Sequence, residues 1–175
     1  NGDGLDDMVV PNFADANVTV FLASGGLNEG SWVLNLVSED LAGNMSPSAG
    51  PLVITIDTTA PAAPAAAPKL SAGSDSGWSA TDAITNIAAP TLTLGTLAYQ
   101  RVYRDGTSIG APYHQGAAYA LPPQADGAWS YTYTYVDAAG HESGQSPAAA
   151  ITIDTVAPPP PIAPALDPAS DGAAG

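Results

Sequence analysis

Residues 129–136 read Trp-Ser-Tyr-Thr-Tyr-Thr-Tyr-Val, and this stretch decides the fold class. Its aromatic side chains occupy every second position from 129 to 135, with small polar residues between them. A period of two places alternate side chains on one face of a β-strand, and aromatic residues favour strands. The stretch therefore predicts a strand whose aromatic face packs against a core. An exposed aromatic platform for a ligand is the alternative interpretation.

An earlier part of the chain repeats this segment. Residues 54–61 read Ile-Thr-Ile-Asp-Thr-Thr-Ala-Pro, and residues 151–158 read Ile-Thr-Ile-Asp-Thr-Val-Ala-Pro. The same offset of 97 positions relates Trp32 to Trp129. A matched Trp in one ungapped register indicates an internal repeat. At equivalent positions of the strand, the earlier copy has Leu where the later copy has Tyr. A large side chain is kept although its chemistry changes, which favours a role in the core.

The repeat predicts how the chain is organised. We expect a partial or shortened unit at 1–57, a complete unit at 58–154, and a linker with the start of a further unit at 155–175. Two Pro- and Ala-rich stretches, 58–68 and 155–168, read as semi-rigid linkers because Pro fixes φ and favours extended geometry. A chain that begins and ends inside a repeat reads as a window on a tandem array.

Short apolar runs separated by turn signals fill the rest of the sequence. Asp-Gly pairs at 105–106 and 126–127 mark turns, and 18 Gly with 17 Pro leave no stretch with a helical period. Short strands at such spacing are typical of a β-sandwich of the Ig-like kind. We therefore predict an all-β chain of tandem Ig-like β-sandwich modules joined by the two linkers. Further strands are expected at 52–57, 90–97, 100–104 and 149–154.

Charge and composition exclude several classes of function. The 175 residues carry 17 acidic and 3 basic side chains, for a formal net charge of −14. Nucleic acid and anionic membranes need patches of Lys and Arg, so neither is an expected partner. The absence of Cys excludes disulfides and thiolate chemistry. No apolar run reaches the roughly 18 residues of a membrane span, so membrane insertion is not expected.

Catalytic motifs are absent from the sequence. His114 and His141 are the two histidines, too few for a typical zinc site, and both read as exposed polar residues, His114 in a loop. No Gly-x-Ser-x-Gly elbow and no Gly-rich phosphate loop occurs, and the acids lie in turns rather than in an aromatic cleft. We expect a protein that is not an enzyme.

Four short motifs together resemble a known family. Residues 40–44 read Asp-Leu-Ala-Gly-Asn ahead of the final strand of the first unit, and the openings at 74–86 and the segments 105–110 and 126–129 complete the pattern. The set resembles the Ig-like repeats of giant bacterial surface adhesins of the biofilm-associated and RTX types. The resemblance covers residues 60–175, and residues 28–58 as the back half of a preceding unit. The sequence departs from the family pattern at His141, where Asn is usual.

The resemblance implies a structural extender that spaces an adhesive tip from the cell. It further implies an extracellular location on the bacterial cell surface, neighbouring modules of the same chain as partners, and Ca²⁺ at or near the junctions between modules.

The positions of the acids favour calcium independently. In a seven-stranded sandwich with alternating strand directions, one set of acids gathers at the end of each unit, where the next unit begins. Calcium takes six to eight oxygen ligands, and few bases are present to neutralise these acids. The alternative is that each Asp forms a turn. The predicted metal ligands are Asp75, Asp82 and Asp154 at one pole, and Asp57 with Asp3, Asp6 or Asp7 facing the loop of Asp137.

Two other functions are compatible with the sequence. The module could itself bind a glycan or a protein ligand through an exposed patch of Tyr99, Tyr103, Tyr113 and Tyr119. The chain could also associate with copies of itself into a filament, a fibre or a surface layer. An incomplete first unit could then be completed by a strand from a neighbouring chain.

Overall fold

The computed structural model describes the chain as two compact units. One comprises Asn1–Pro61 with Asp137–Glu142, and the other comprises Ala62–Val136 with Ser143–Gly175. Among the described residues all regular structure is strand, and no helix occurs. The residues that the structure describes are 8–12, 17–21, 28–35, 37, 42, 44–97, 99–165 and 172.

The strands follow one another in short segments. In chain order they are β1 (Met8–Asn12), β2 (Asn17–Phe21), β3 (Gly30–Leu34), β4 (Leu52–Ile56), β5 (Lys69–Leu70), β6 (Ile84–Thr85), β7 (Thr91–Thr93), β8 (Tyr99–Arg104), β9 (Thr107–His114), β10 (Ala118–Ala120), β11 (Gly127–Val136) and β12 (Ala149–Ile153).

The second unit is built from two sheets in a sandwich-like arrangement. A three-stranded sheet has the order β10-β7-β5, and a five-stranded sheet has the order β6-β12-β11-β8-β9. Neighbouring strands are antiparallel except β6 and β12, which are parallel. Because β5 belongs to one sheet and β6 to the other, residues 71–83 connect the two sheets. The expectation of an all-β fold is confirmed for the described residues.

The core lies between these two sheets. Leu92 of β7 comes from the three-stranded sheet, and Val102, Tyr131 and Ile151 come from the five-stranded sheet; all four are buried in one cluster. Tyr133 is also buried, so the predicted core role of the Tyr row holds for its central members. Burying such side chains removes a large apolar area from water and stabilises the sandwich.

The strand pair β3–β4 of the first unit repeats the pairing of β11–β12 in the second. Gly30 lies opposite Ile56, just as Gly127 lies opposite Ile153 97 positions later. Both glycines have positive φ, 134° and 142°, a conformation that a side chain would strain. The offset that relates the two copies in the sequence therefore also relates the paired residues of their strands.

Side-chain hydrogen bonds recur at the same offset. Trp32 Nε1 donates to the carbonyl oxygen of Asn28 at 2.9 Å, and Trp129 Nε1 donates to that of Ala125 at 3.0 Å. The two strand pairs differ in burial, because Ile151 is buried whereas its counterpart Ile54 is only half-buried.

Candidate functional site

The loop that follows β11 is closed by one aspartate. Asp137 Oδ1 accepts a hydrogen bond from the backbone N–H of His141 at 2.8 Å, and His141 Nδ1 lies 3.2 Å from Asp137 Oδ2. The backbone N–H of Asp137 donates to the carbonyl oxygen of His141 at 3.1 Å. Gly140 supplies the positive φ of 95° that the turn requires. The loop therefore holds the carboxylate and the imidazole against each other.

Asp57 joins this pair within the compact unit of residues 1–61 and 137–142. It follows β4, and its Oδ1 accepts a hydrogen bond from the backbone N–H of Thr59 at 3.1 Å. One potential ligand atom from each of Asp57, Asp137 and His141 lies within 4.8 Å of the other two. In the described part of the chain, this is the one group of three or more acids and histidines at metal-binding distances. We refer to these three residues as the acidic cluster.

The loop also sets the charge state of Asp137. Partial desolvation raises the pKa of Asp137, but hydrogen bonds from the backbone and ring of His141, the charge of its imidazole and the N–H of Gly140 act against it. The net result is that the pKa of Asp137 lies below its ordinary value of 3.8. Asp137 is therefore an anion throughout the neutral range and available to a cation.

The donors of the acidic cluster fit calcium only in part. Two carboxylates suit a hard cation that prefers oxygen, whereas an imidazole nitrogen does not belong to the usual calcium ligands. Both oxygens of Asp137 already contact His141. Three side chains also fall short of the six to eight ligands that calcium takes, so backbone carbonyls and water would have to complete the shell.

The other predicted metal ligands are not brought together in this way. Asp82 Oδ1 accepts from the N–H of Ile84, and Asp154 Oδ1 accepts from that of Val156, each at 3.1 Å. These are the turn-forming contacts weighed as the alternative. Asp75 forms no metal-distance group with them among the described residues. The predicted ligands Asp3, Asp6 and Asp7 lie outside the described residues.

The predicted aromatic patch loses one of its four tyrosines, while Tyr99 and Tyr103 are half-buried. Tyr119 is buried, so including it in an exposed patch was wrong. Tyr99 and Tyr113 meet edge to face with ring centroids 6.4 Å apart, and the guanidinium of Arg101 lies 5.4 Å from the centre of the Tyr113 ring. Tyr113 remains exposed. We refer to these three residues as the Tyr–Arg patch.

Comparison with protein families identifies the two-sheet sandwich. Residues 62–155, more than half of the chain, match the family model of the bacterial Ig-like domain. The chain belongs to the bacterial Ig-like domain family. A search of curated proteins finds no match to the sequence. Bacterial Ig-like domains are often located on the cell surface and are generally non-enzymatic.

The match covers the two-sheet sandwich and both strands of the repeated pair β11–β12. It confirms the predicted resemblance at the level of a bacterial Ig-like domain. None of the described residues forms a helix that is long and apolar enough to cross a membrane.

One residue of the acidic cluster was missed as a potential ligand. The sequence predicted His141 to be an exposed polar residue and a departure from the pattern of related repeats, not a ligand. In this Ig-like domain its ring lies against Asp137. The available signal was the spacing, because residues four apart across an Asp-x-x-Gly turn face each other when the turn closes.

Proposed function

We propose that this Ig-like chain is a structural extender module of a secreted bacterial surface adhesin or fibre. The observation that carries the proposal is the recurrence of the β3–β4 pair as β11–β12, with the same register and the same Trp hydrogen bond. Recurrent units of one kind within a chain are typical of tandem arrays, in which each unit adds length and contacts its neighbours.

Turn contacts at the end of each strand pair also support tandem modules. Thr58 Oγ1 donates to Glu29 Oε2 at 3.0 Å, and the equivalent Thr155 Oγ1 donates to Asp126 Oδ1 at 2.8 Å. In each strand pair, a Thr just after the second strand is thus hydrogen-bonded to an acidic residue just before the first strand. After Thr155 the described residues 156–165 are exposed and have no regular structure. Their Pro content favours an extended spacer.

The net charge serves the same proposed role. At −14, copies of the module repel one another, which keeps an array soluble and resists collapse onto itself. The proposed mechanism therefore needs no catalytic residue. It uses a buried aromatic and aliphatic core for stiffness, proline for spacing and acidic side chains for solubility.

Mechanical unfolding tests the extender role. A polyprotein of linked copies of this chain, pulled in a single-molecule force experiment, should unfold in discrete steps. Each step should release roughly 300 Å of contour length for residues 62–155 and should be recovered on relaxation. A chain that lengthens smoothly, without steps, would argue against a load-bearing module.

Calcium is the ion we propose for the acidic cluster, with Asp57 and Asp137 as its side-chain ligands. The proposal rests on their proximity and on the anionic state of Asp137. When bound, the ion would neutralise two carboxylates that otherwise repel each other. His141 stands where the preceding repeat has Asn44, and an amide oxygen is a calcium ligand whereas an imidazole is not.

This difference gives a matched test. Thermal melts in EDTA and in millimolar calcium should show that calcium raises the Tm of the wild-type chain by a few degrees. The substitution His141→Asn should increase the rise, because it adds an oxygen ligand, and Asp137→Asn should abolish it. Calcium-independent melts for both the wild type and His141→Asn would exclude calcium while leaving the extender proposal to the force experiment.

A second candidate function is the binding of a glycan. The Tyr–Arg patch favours it, because an exposed aromatic ring beside a cation suits a sugar that carries a negative charge. A glycan array should then lose its signal with Tyr113→Ala and keep it with Ile162→Ala, an exposed apolar residue elsewhere. An array without a wild-type signal would remove this candidate.

A further inference from the structure

The outer edge of β4 lacks the neighbour that its counterpart in the second unit has. There, the backbone N–H of Thr152 in β12 donates to the carbonyl oxygen of Ala83 at 2.9 Å, and β6 runs along the same edge. In the first unit β3 and β4 form a two-stranded sheet, and no other strand of the described residues pairs with β4. Because the two strand pairs share one register, the backbone groups of Val53 and Thr55 lie on this open edge.

The open edge of β4 also lacks the features that protect the edges of the second unit. The edge strands there are β5 and β10 of one sheet and β6 and β9 of the other. Strands β5, β6 and β10 are only two or three residues long, and β9 carries Pro112 and an irregular register with β8. Short strands, proline and irregular pairing all discourage the addition of a strand from another chain. By contrast, β4 reads Leu-Val-Ile-Thr-Ile, with no charged residue, proline or glycine, and therefore presents a regular template for a further strand.

Large apolar side chains are exposed on both strands of this pair. Val33, Leu52 and Val53 are 58%, 59% and 60% exposed, and Val33 lies opposite Val53. The equivalent positions of the second unit hold small residues, which are Ser130, Ala149 and Ala150. The repeated strand pair thus forms without large apolar side chains at these positions. Their exposure in the first unit therefore indicates an interaction surface.

We propose that β4 pairs through its open edge with β4 of a second copy, antiparallel and about a two-fold axis at Ile54. In this register Val53 of one copy lies opposite Thr55 of the other, and Leu52 lies opposite Ile56. The open N–H and C=O groups of Val53 and Thr55 then hydrogen-bond to each other across the axis, as in any antiparallel ladder. The two strand pairs become one continuous antiparallel sheet in the order β3-β4-β4-β3.

The strand itself favours a second copy as its partner, because it is neutral and its register is self-complementary. Every residue of β4 lies opposite a residue of β4 in the other copy, whereas Asp57 follows the strand and stays outside the paired residues. A charged partner strand would instead place its charge beside apolar neighbours without a counter-charge. The face of the half-buried Ile54 and Ile56 becomes continuous with the same face of the second copy, which removes further apolar surface from water. One patch used twice is the usual form of a two-fold dimer.

The contact is small for a dimer interface. A single strand pair buries less than the roughly 1,200–2,000 Å² of a stable complex. We therefore expect a dissociation constant on the order of 100 μM for separate chains. Copies held side by side on one surface would associate more strongly through multivalency. Because each chain carries −14 while β4 is neutral, association should strengthen as salt screens the repulsion between the chains.

A single introduced cysteine tests the register, since the chain has no cysteine of its own. Two copies of Ile54→Cys would meet at the axis as a non-hydrogen-bonded pair, whose Cα atoms lie about 4.5 Å apart, within the range of a disulfide. Ile54→Cys should therefore form a disulfide-linked dimer in a glutathione redox buffer. Leu52→Cys should stay monomeric, because its two copies would lie roughly 13 Å apart along the strands. Leu52 is the more exposed residue, so random collisions would favour the opposite result.

Sedimentation velocity of the whole chain measures the association itself. The wild type should dimerise between micromolar and millimolar concentrations, and Val53→Lys should lower the association constant at least about tenfold, because lysine on an edge strand opposes pairing. Ala150→Lys makes the same charge change at the equivalent exposed position of the second unit and should leave the association constant unchanged. A wild type that stays monomeric at millimolar concentration would overturn the proposal. So would equal cross-linking of Ile54→Cys and Leu52→Cys, or equal losses from the two lysine variants.

Discussion

Ile151→Ala should destabilise the second unit by about 2–5 kcal/mol, the range for removing a large aliphatic side chain from a packed core. Ile151 has no exposed surface and contacts the cluster that joins both sheets. Ile54, at the equivalent position of the first unit, is only half-buried. Ile54→Ala should therefore cost clearly less, about 1–2 kcal/mol. The repeat thus provides its own comparison at identical register.

Urea unfolding followed by circular dichroism measures both effects. Because the chain has two compact units, each variant should move the transition of its own unit and leave the other in place. Val53→Ala, at an exposed position of the same strand as Ile54, serves as the control. Equal losses from Ile151→Ala and Ile54→Ala would contradict the burial difference between the two strand pairs.

The strand pattern was predictable because it depends on local periodicity. The alternating aromatic residues predicted strand β11 from sequence alone. The repeated final-strand motif likewise predicted β4 and β12. At the end of β11 the pattern fails, because Thr134 and Val136 are both buried while Tyr135 is half-buried. Alternation predicts one buried face, but here both faces are covered. Which elements cover a face is decided by tertiary packing, which no single strand encodes.

Two residues outside that strand show the same limit. His114 was expected in a loop but ends β9, where its ring meets that of Tyr119 with centroids 5.0 Å apart. Tyr119 was expected at the surface and is buried. Both lie in segments without a clear period. The short strand β10 around Tyr119 forms through pairing with β7, a contact distant in sequence.

The acidic cluster was partly accessible to sequence reasoning. Alternating strand directions placed the loop of Asp137 opposite Asp57, and the structure brings both residues to metal-binding distance. The approach of the His141 ring depends on how its turn closes, which the sequence pattern did not specify. The pocket lined by Lys69, Asp75 and Ile151 was not foreseen, because it exists only where the two sheets and the connection between them meet.

The second unit should unfold as pH rises from about 10 towards 12. Burial raises the pKa of Tyr131 to about 12, with Arg104 lowering and Asp105 raising it to lesser degrees. Burial also raises the pKa of Tyr133 to about 12, assisted by a hydrogen bond and charge from Tyr135. A raised pKa in the folded state means that the fold favours the protonated phenol. This stabilisation is complete below pH 10, where the unfolded tyrosines titrate, and is lost above it.

The size of the effect follows from the two shifts. A difference of about two pKa units is worth roughly 3 kcal/mol for each tyrosine. Two such groups amount to several kcal/mol, comparable with the roughly 5–15 kcal/mol that stabilises a typical domain. Urea unfolding between pH 8 and 11.5 should therefore show stability falling by up to about 3 kcal/mol per pH unit. Ultraviolet absorbance of tyrosinate should rise together with unfolding for these two residues.

Phenylalanine substitutions assign the effect to individual side chains. Tyr133→Phe removes one titrating phenol and keeps its ring, so the loss of stability with pH should become about half as steep. Tyr131→Phe should have the same effect on the slope. Both substitutions should also lower stability at neutral pH, since the hydroxyl of Tyr131 donates to Gln124 Oε1 at 3.2 Å and that of Tyr133 is hydrogen-bonded with Tyr135. If all seven tyrosines titrated near pH 10 in the folded chain, the two phenols could not lie in the core. The sandwich packing around Tyr131 would then be wrong.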